Sequence, residues 1–99
     1  MATSTVLLNA VTTNTTGTGV QLTGNVQFQG RGDAGGGVVE VQRALADSGA
    51  QYEPVGVNGQ FQGEGDCHVE SVAPMYYRGV LRGATRAAAY TLTAIHSDQ

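Results

Sequence analysis

The chain has 99 residues, of which 40% are hydrophobic and 13% charged, and its formal net charge is −3. This length predicts one domain, and the apolar content excludes a solvated, disordered chain. All five basic residues are Arg and they form no basic stripe, which argues against sequence-independent binding of nucleic acid.

Residues 1–5 are small, polar or apolar and precede the short apolar run Val6-Leu7-Leu8. No positively charged segment comes before this run, which is too short for a signal peptide or a membrane span. The single cysteine, Cys67, excludes an intramolecular disulfide. We therefore expect a chain that folds in a reducing cytoplasm, gains stability by oligomerising, or does both, and that begins with a short flexible arm over residues 1–5.

Short alternating runs of hydrophobic residues, separated by turn residues, follow along the whole chain. They lie at 6–11, 19–22, 25–29, 38–43, 52–57, 60–62, 67–72, 76–82 and 88–95. Asn58-Gly59 is the strongest turn signal, because a type I′ hairpin needs positive φ at both positions. This rhythm predicts a single all-β domain over residues 1–99, an antiparallel β-sandwich of jelly-roll or Ig-like type with roughly seven to nine strands.

The inward positions of the runs predict the core. A strand over 38–43 places Val39 and Val41 on one face, and strand is favoured over helix for residues 41–47 because Asp47-Ser48-Gly49 follows as a turn. The residues expected inside are Val20, Leu22, Val26, Phe28, Val39, Val41, Val55, Val69, Val80, Tyr90 and Leu92.

The glycine-rich segment Gly30–Gly37 is predicted to be a flexible loop. It leads into a strand and not a helix, and it lacks the Lys of a phosphate-binding loop, so nucleotide binding is excluded. The segment contains Arg31-Gly32-Asp33, the tripeptide known from cell adhesion. Its plain interpretation is a solvated loop, and Arg31 and Asp33 are candidate interface residues.

Few side chains suggest catalysis or metal binding. In a strand, Cys67 and His68 point to opposite faces, so they cannot act together, whereas His68 and Glu70 share a face. Zinc needs three or four ligands at a recognised spacing, which this group does not supply. We expect Cys67 to be a small core residue, and we expect no catalytic residue, metal, cofactor or small-molecule substrate.

Tyr77 and Arg82 are further interface candidates. An exposed Tyr beside Arg is a combination favoured at protein interfaces. The alternative is that the neighbouring rings of Tyr76 and Tyr77 divide between the core and its rim.

Three segments resemble hairpins of small virion proteins of tailed bacteriophages. They are Val39–Arg43 with Asp47–Val55, Tyr77–Thr85 with Ala89–Ala94, and the opening Leu7–Val11. Tyr52 stands where a Trp is more usual, and the loop at 30–37 is long. This group includes head decoration (cement) proteins and tail-associated modules, so the resemblance implies a structural protein.

From this resemblance we expect a head decoration protein that binds the major capsid protein on the outer capsid surface as a homotrimer. It would be made in the bacterial cytoplasm and act in the virion, without nucleic acid or membrane. The expected capsid-binding residues are Ala2, Thr3, Ser4, Thr5 and Val6, which would add a strand to a capsid sheet. The alternative is a phage tail module or a receptor- or carbohydrate-binding module.

Overall fold

The computed structural model describes residues 2–48, 51–55, 60–84 and 88–97. Within these ranges the chain forms eight β-strands and no α-helix, so the all-β prediction is confirmed. The predicted hairpin turn at Asn58-Gly59 lies outside the described residues. The strands are β1 (Ala2–Val11), β2 (Thr15–Thr16), β3 (Val20–Asp33), β4 (Val38–Ala44), β5 (Glu53–Pro54), β6 (Gln60–Phe61), β7 (Gly65–Arg82) and β8 (Ala88–Ser97).

One antiparallel sheet contains all eight strands, in the order β1-β8-β3-β7-β4-β5, with β2 paired to β7 and β6 paired to β4. The long strand β7 pairs with β3 along residues 65–77 and with β4 along residues 76–82. The sheet folds over: the side chains of Leu8 and Leu92 occupy the space where a side chain at Gly79 would lie, although β3 separates β7 from β8 in the sheet. The two layers of the fold therefore belong to one continuous sheet.

Two predicted pairs of short runs are single long strands in the structure. The turn expected between the runs 19–22 and 25–29 is wrong, because β3 continues through Thr23-Gly24-Asn25 with a register shift between Leu22 and Gly24. Gly24 has a φ of 84°, which glycine adopts without steric cost. From Leu22 to Gly24 the ladder advances two residues on β3 and four on β7, so the extra residues of this β-bulge lie on β7. Similarly, β7 joins the runs 67–72 and 76–82.

The predicted flexible loop at Gly30–Gly37 is wrong for its first half. Residues 30–33 are the end of β3 and pair with β8, which supplies partners for their backbone groups. Only residues 34–37 form the turn, where the amide of Gly37 donates to the carbonyl of Ala34 at 3.1 Å. Gly30 is buried against Tyr90 and Phe61, so this glycine serves close packing within a strand.

The core lies between the two layers. Of the eleven residues predicted inside, seven are buried: Leu22, Val26, Phe28, Val39, Val41, Tyr90 and Leu92. Val20, Val55 and Val69 are partly buried and pack against this cluster. Val80 is wrong, because the register of β7 turns Tyr77 and Leu81 inward and leaves Val80 half-buried on the opposite face. The core also contains Leu7, Leu8, Ala34, Phe61, Tyr77, Leu81 and Ala94, which were not predicted.

Two local predictions are confirmed. Strand β4 runs to Ala44 and is followed by bends, so residues 41–47 do not form a helix. Cys67 is buried, whereas His68 is exposed, as expected for successive residues of a strand.

Candidate functional site

The predicted capsid-binding residues Ala2–Val6 form the first half of strand β1. They pair in register with residues 97–93 of β8, and the Thr5 hydroxyl lies 3.2 Å from Nε2 of His96. The expectation of a loose arm over residues 1–5 is therefore wrong for residues 2–5, because β8 offers them a complete backbone partner. The segment is an edge strand.

The two terminal strands of the sheet differ strongly. Strand β5 is two residues long and consists of Glu53 and Pro54, a charge and a residue without an amide proton, both of which discourage further pairing. Strand β1 is ten residues long and contains neither a charged residue nor a proline. Of the two ends of the described sheet, only β1 has an open edge.

The outer face beside this edge carries uncharged side chains. One row across the sheet is Val6, Thr93 and Gln29, and the next is Ser4, Ile95 and Gln27. Val6 has an exposed fraction of 50%, and the half-buried Ile95 lies diagonally opposite it. The edge therefore has an apolar spot within a polar face.

Three adjacent segments of the described sheet contain no formally charged side chain. The first charged residue of the sequence is Arg31, and β8 contains only His96 among titrating His, Asp, Glu, Lys and Arg residues. Because β1, β8 and β3 are adjacent, residues 2–11, 20–30 and 88–97 form what we call the uncharged half of the sheet. Cores of protein interfaces are depleted of charged residues, so this half is the better candidate for a protein contact.

Several charged side chains of the other half are held by hydrogen bonds or ion pairs. Glu40 is buried, with 1% exposed, and its carboxylate accepts hydrogen bonds from Gln42 (2.7 Å), Gln60 (2.8 Å) and Arg82 (2.9 Å). Gln60 stands beside Glu40 because β6 pairs with β4. A buried carboxylate is tolerated when donors surround it in this way, so the cluster ties β6 and β7 to β4.

A second series of polar contacts begins at Gln42, which also donates to Glu40. Arg78 donates to Gln42 at 2.8 Å and places its guanidinium over the ring of Tyr52, 4.1 Å from the centroid. The Tyr52 hydroxyl donates to Asp47 at 2.7 Å. Burial, followed by this hydrogen bond, raises the pKa of Tyr52 to about 12.

The candidate interface residues Arg31 and Asp33 lie at the end of β3. Arg31 forms an ion pair with Asp66 at 3.0 Å and donates to the carbonyl of Gly30, with about half of each ion-pair side chain exposed. Asp33 is exposed and accepts a hydrogen bond from the amide of Gly35 at 2.8 Å. Both residues remain accessible, although Arg31 already has an acidic partner.

Tyr77 and Arg82 do not form the predicted joint patch. The Tyr77 ring is fully buried and packs 5.3 Å from the Phe28 centroid, so its assignment as an exposed interface residue is wrong. Strand alternation places Tyr77 on the inward face of β7. Its partners across the sheet, Arg43 on β4 and Val20 on β3, lie on the same face as the core valines. The Arg82 side chain is 56% exposed but is held by Glu40.

The remaining chemically active side chains are separated or enclosed. Burial raises the pKa of the Cys67 thiol, and His68 faces away from it; the side chain of Glu70 lies outside the described part. Burial also raises the pKa of Tyr90 to about 12, and its hydroxyl donates to the carbonyl of Gly63. Among the described residues, no group of three His, Cys, Asp or Glu side chains could hold a metal ion. The described residues form no helix that is long and apolar enough to cross a membrane.

A cleft of about 350 Å³ lies near the end of the sheet that β5 forms. Leu45, Pro54 and Met75 supply its apolar wall, and Arg43 and Glu53 supply one charge of each sign. Arg43 and Glu53 are opposite each other in the β4–β5 ladder, so the cleft offers no net charge to a ligand.

Comparison with family models, with curated proteins and with solved structures found no match to this chain.

Proposed function

We propose that this protein is a structural component of a tailed-phage virion, a head decoration protein that binds the major capsid protein on the outer capsid surface as a trimer. Its role is mechanical: it connects capsid subunits and contributes no chemistry. The family assignment and the trimer come from the resemblance of its hairpins to those of phage virion proteins.

The observation that carries this proposal is the uncharged half of the sheet, which ends in the open edge of β1. Thr, Gln, Ser and Asn side chains are cheaper to remove from water than charged ones, so this half suits a protein contact. The charged half supports the same role differently, because the contacts of Glu40 and Arg78 fix β4, β6 and β7 to one another.

The alternative function, a carbohydrate-binding module, needs an aromatic ring face on which a sugar can stack. Three of the four tyrosines are engaged elsewhere: Tyr77 and Tyr90 are buried, and the Tyr52 ring carries the Arg78 guanidinium. Tyr76 is half-buried. These contacts favour the decoration protein over the carbohydrate-binding module.

The test mixes the purified protein with expanded, undecorated capsid shells of tailed phages and measures co-sedimentation. We expect saturable binding at a fixed number of copies per shell and a rise in shell stability. Sedimentation equilibrium of the free protein measures the trimer separately. Glycan-array signal without shell binding would support the carbohydrate-binding module instead.

A further inference from the structure

The open edge of β1 has a regular part and an irregular part. The Cα partners run without a shift from Ala2 to Val6, and shifts follow between Val6 and Leu8 and between Leu8 and Val11. Ala10 has a φ of 50°, a backbone conformation that interrupts an extended strand. An incoming strand therefore finds about five residues, or about 16 Å, of regular backbone.

Val6 ends the regular part and is the apolar contact of the edge. It points to the outer face, where it is half exposed, and Ile95 lies on the next row. In an added strand, the residue opposite Val6 would have its Cβ about 5 Å from that of Val6, whereas Ile95 on β8 lies two strand spacings, or about 10 Å, away. A branched apolar residue at that place would cover Val6.

The inner side of β1 is already occupied. Leu7 and Leu8 are buried in the core, and Thr5 contacts His96. A partner can therefore reach β1 only through its free backbone groups and its outer face.

A second copy of this chain fits the edge poorly. Antiparallel pairing over the whole regular part would place Val6 opposite Ala2 of the other copy, which leaves Val6 without a large apolar neighbour. Sliding the copies until Val6 faces Val6 would place the irregular residues 8–10 opposite residues 4–2, where the ladder cannot form regularly.

We propose that β1 receives an extended, uncharged strand of the capsid subunit, about five residues long, whose branched apolar side chain packs on Val6. This inference rests on the proposed function and names the mode of recognition. Because the uncharged half contributes no formal charge, the affinity depends little on salt. Glu53 and Pro54 discourage strand pairing at β5, the other end of the sheet. The sheet therefore accepts one added strand, at β1, and is not extended further.

The experiment compares amide hydrogen exchange of the full chain, free and bound to undecorated capsid shells. We expect slower exchange within residues 2–6 on binding and no change at Glu53. Val6→Lys should weaken shell binding about tenfold or more, because a charge would enter the contact. The matched control is Leu45→Lys, which changes the other exposed large apolar side chain among the described residues and should alter affinity by less than about twofold.

A milder variant, Val6→Thr, keeps a β-branched side chain in the strand and should show an intermediate loss if Val6→Lys fails to fold. Shell binding without protection of residues 2–6, or with wild-type affinity in both Val6 variants, would overturn the strand-addition mode and leave the decoration function standing. Absence of shell binding by the wild-type chain would overturn both. A Val6-dependent dimer of the free protein, seen by sedimentation, would identify a second copy as the occupant and contradict the proposal.

Discussion

The carboxylates Glu40 and Asp66 differ strongly in their exposure to water and in their hydrogen-bond partners. Glu40 is buried within a ring of three donors, whereas Asp66 forms an ion pair with Arg31 in which both side chains are half exposed. The same type of interaction therefore has two very different environments. Water screens the exposed pair but leaves the buried one dependent on its partners.

Replacing Glu40 with Ala should lower the free energy of unfolding by about 3 kcal/mol, because Gln42, Gln60 and Arg82 lose their common acceptor. Asp66→Ala, the matched removal of an exposed carboxylate, should cost less than about 1 kcal/mol. Urea denaturation followed by circular dichroism measures both. Equal losses in the two variants would contradict the assigned roles.

Alkaline pH should destabilise the fold through Tyr52 and Tyr90. Their pKa values are about 12 in the folded protein, against an ordinary value of 10. Between pH 10 and pH 12 the unfolded chain has lost these protons while the folded chain keeps them, so the free energy of unfolding falls as pH rises. Below pH 10 the two tyrosines contribute their full amount to the free energy of unfolding.

Denaturant unfolding at a series of pH values between 9 and 12 tests this dependence, with tyrosinate absorbance as the monitor of ionisation. Tyr52→Phe should reduce the slope, because the aromatic ring under Arg78 remains while the titrating hydroxyl is removed. A free energy of unfolding that stays constant from pH 10 to pH 12 would show that these hydroxyls titrate normally.

At the scale of elements, glycines decide where strands bend and where they end. Gly24 and Gly63 both have open space around the position of a Cβ atom, but only Gly24 has a positive φ. Gly24 therefore supplies a backbone conformation that β3 needs opposite the bulge of β7, whereas Gly63 has no such requirement.

Gly24→Ala should destabilise the fold by about 1 kcal/mol, because alanine is strained at that φ, whereas Gly63→Ala should be neutral or slightly stabilising. Thermal unfolding of the two variants against wild type gives the comparison. A loss at Gly63 that equals the loss at Gly24 would mean that the bulge does not depend on glycine.

Local patterns could predict the strands but not their joining. The alternation around Val39 and Val41 correctly indicates a strand and its buried face, since that signal is contained in a few residues. The segment Thr23–Asn25 has the composition of a turn, but the same composition also fits a bulge, and only pairing with β7 decides between them. No short stretch of sequence could indicate that the two runs form one strand.

The candidate site depends even more on distant residues. The hydrogen bonds of Glu40 reach Gln60 and Arg82, 20 and 42 positions away, so no spacing rule indicates them. Residues 2–6 look like a loose end because their partner strand is β8. The uncharged half emerges only when the sheet order brings β1, β8 and β3 together.

For the whole molecule, the continuity of the sheet predicts cooperative unfolding. Strands β3 and β7 extend into both layers, and Leu8, Gly79 and Leu92 meet in the core between them. Neither layer has a core of its own. We expect one unfolding transition with the same midpoint by circular dichroism and by tyrosine fluorescence.

Different midpoints from the two probes would indicate that the layers unfold separately. The variant Gly79→Ala offers a direct perturbation, because its methyl group would press on Leu8 and Leu92 at once. It should lower both midpoints together by the same amount.

The pairing of β1 with β8 also sets the order in which the protein can be completed during synthesis. Thr5 and His96, which contact each other in the finished sheet, are separated by 91 positions in the chain. At ordinary translation speeds, β1 is synthesised on the order of ten seconds before β8. During this interval the uncharged strand β1 lacks its one neighbour in the sheet, and nascent chains on adjacent ribosomes carry the same strand. The edge that we propose for capsid attachment is thus joined on the nascent chain by a second unpaired edge until β8 is made.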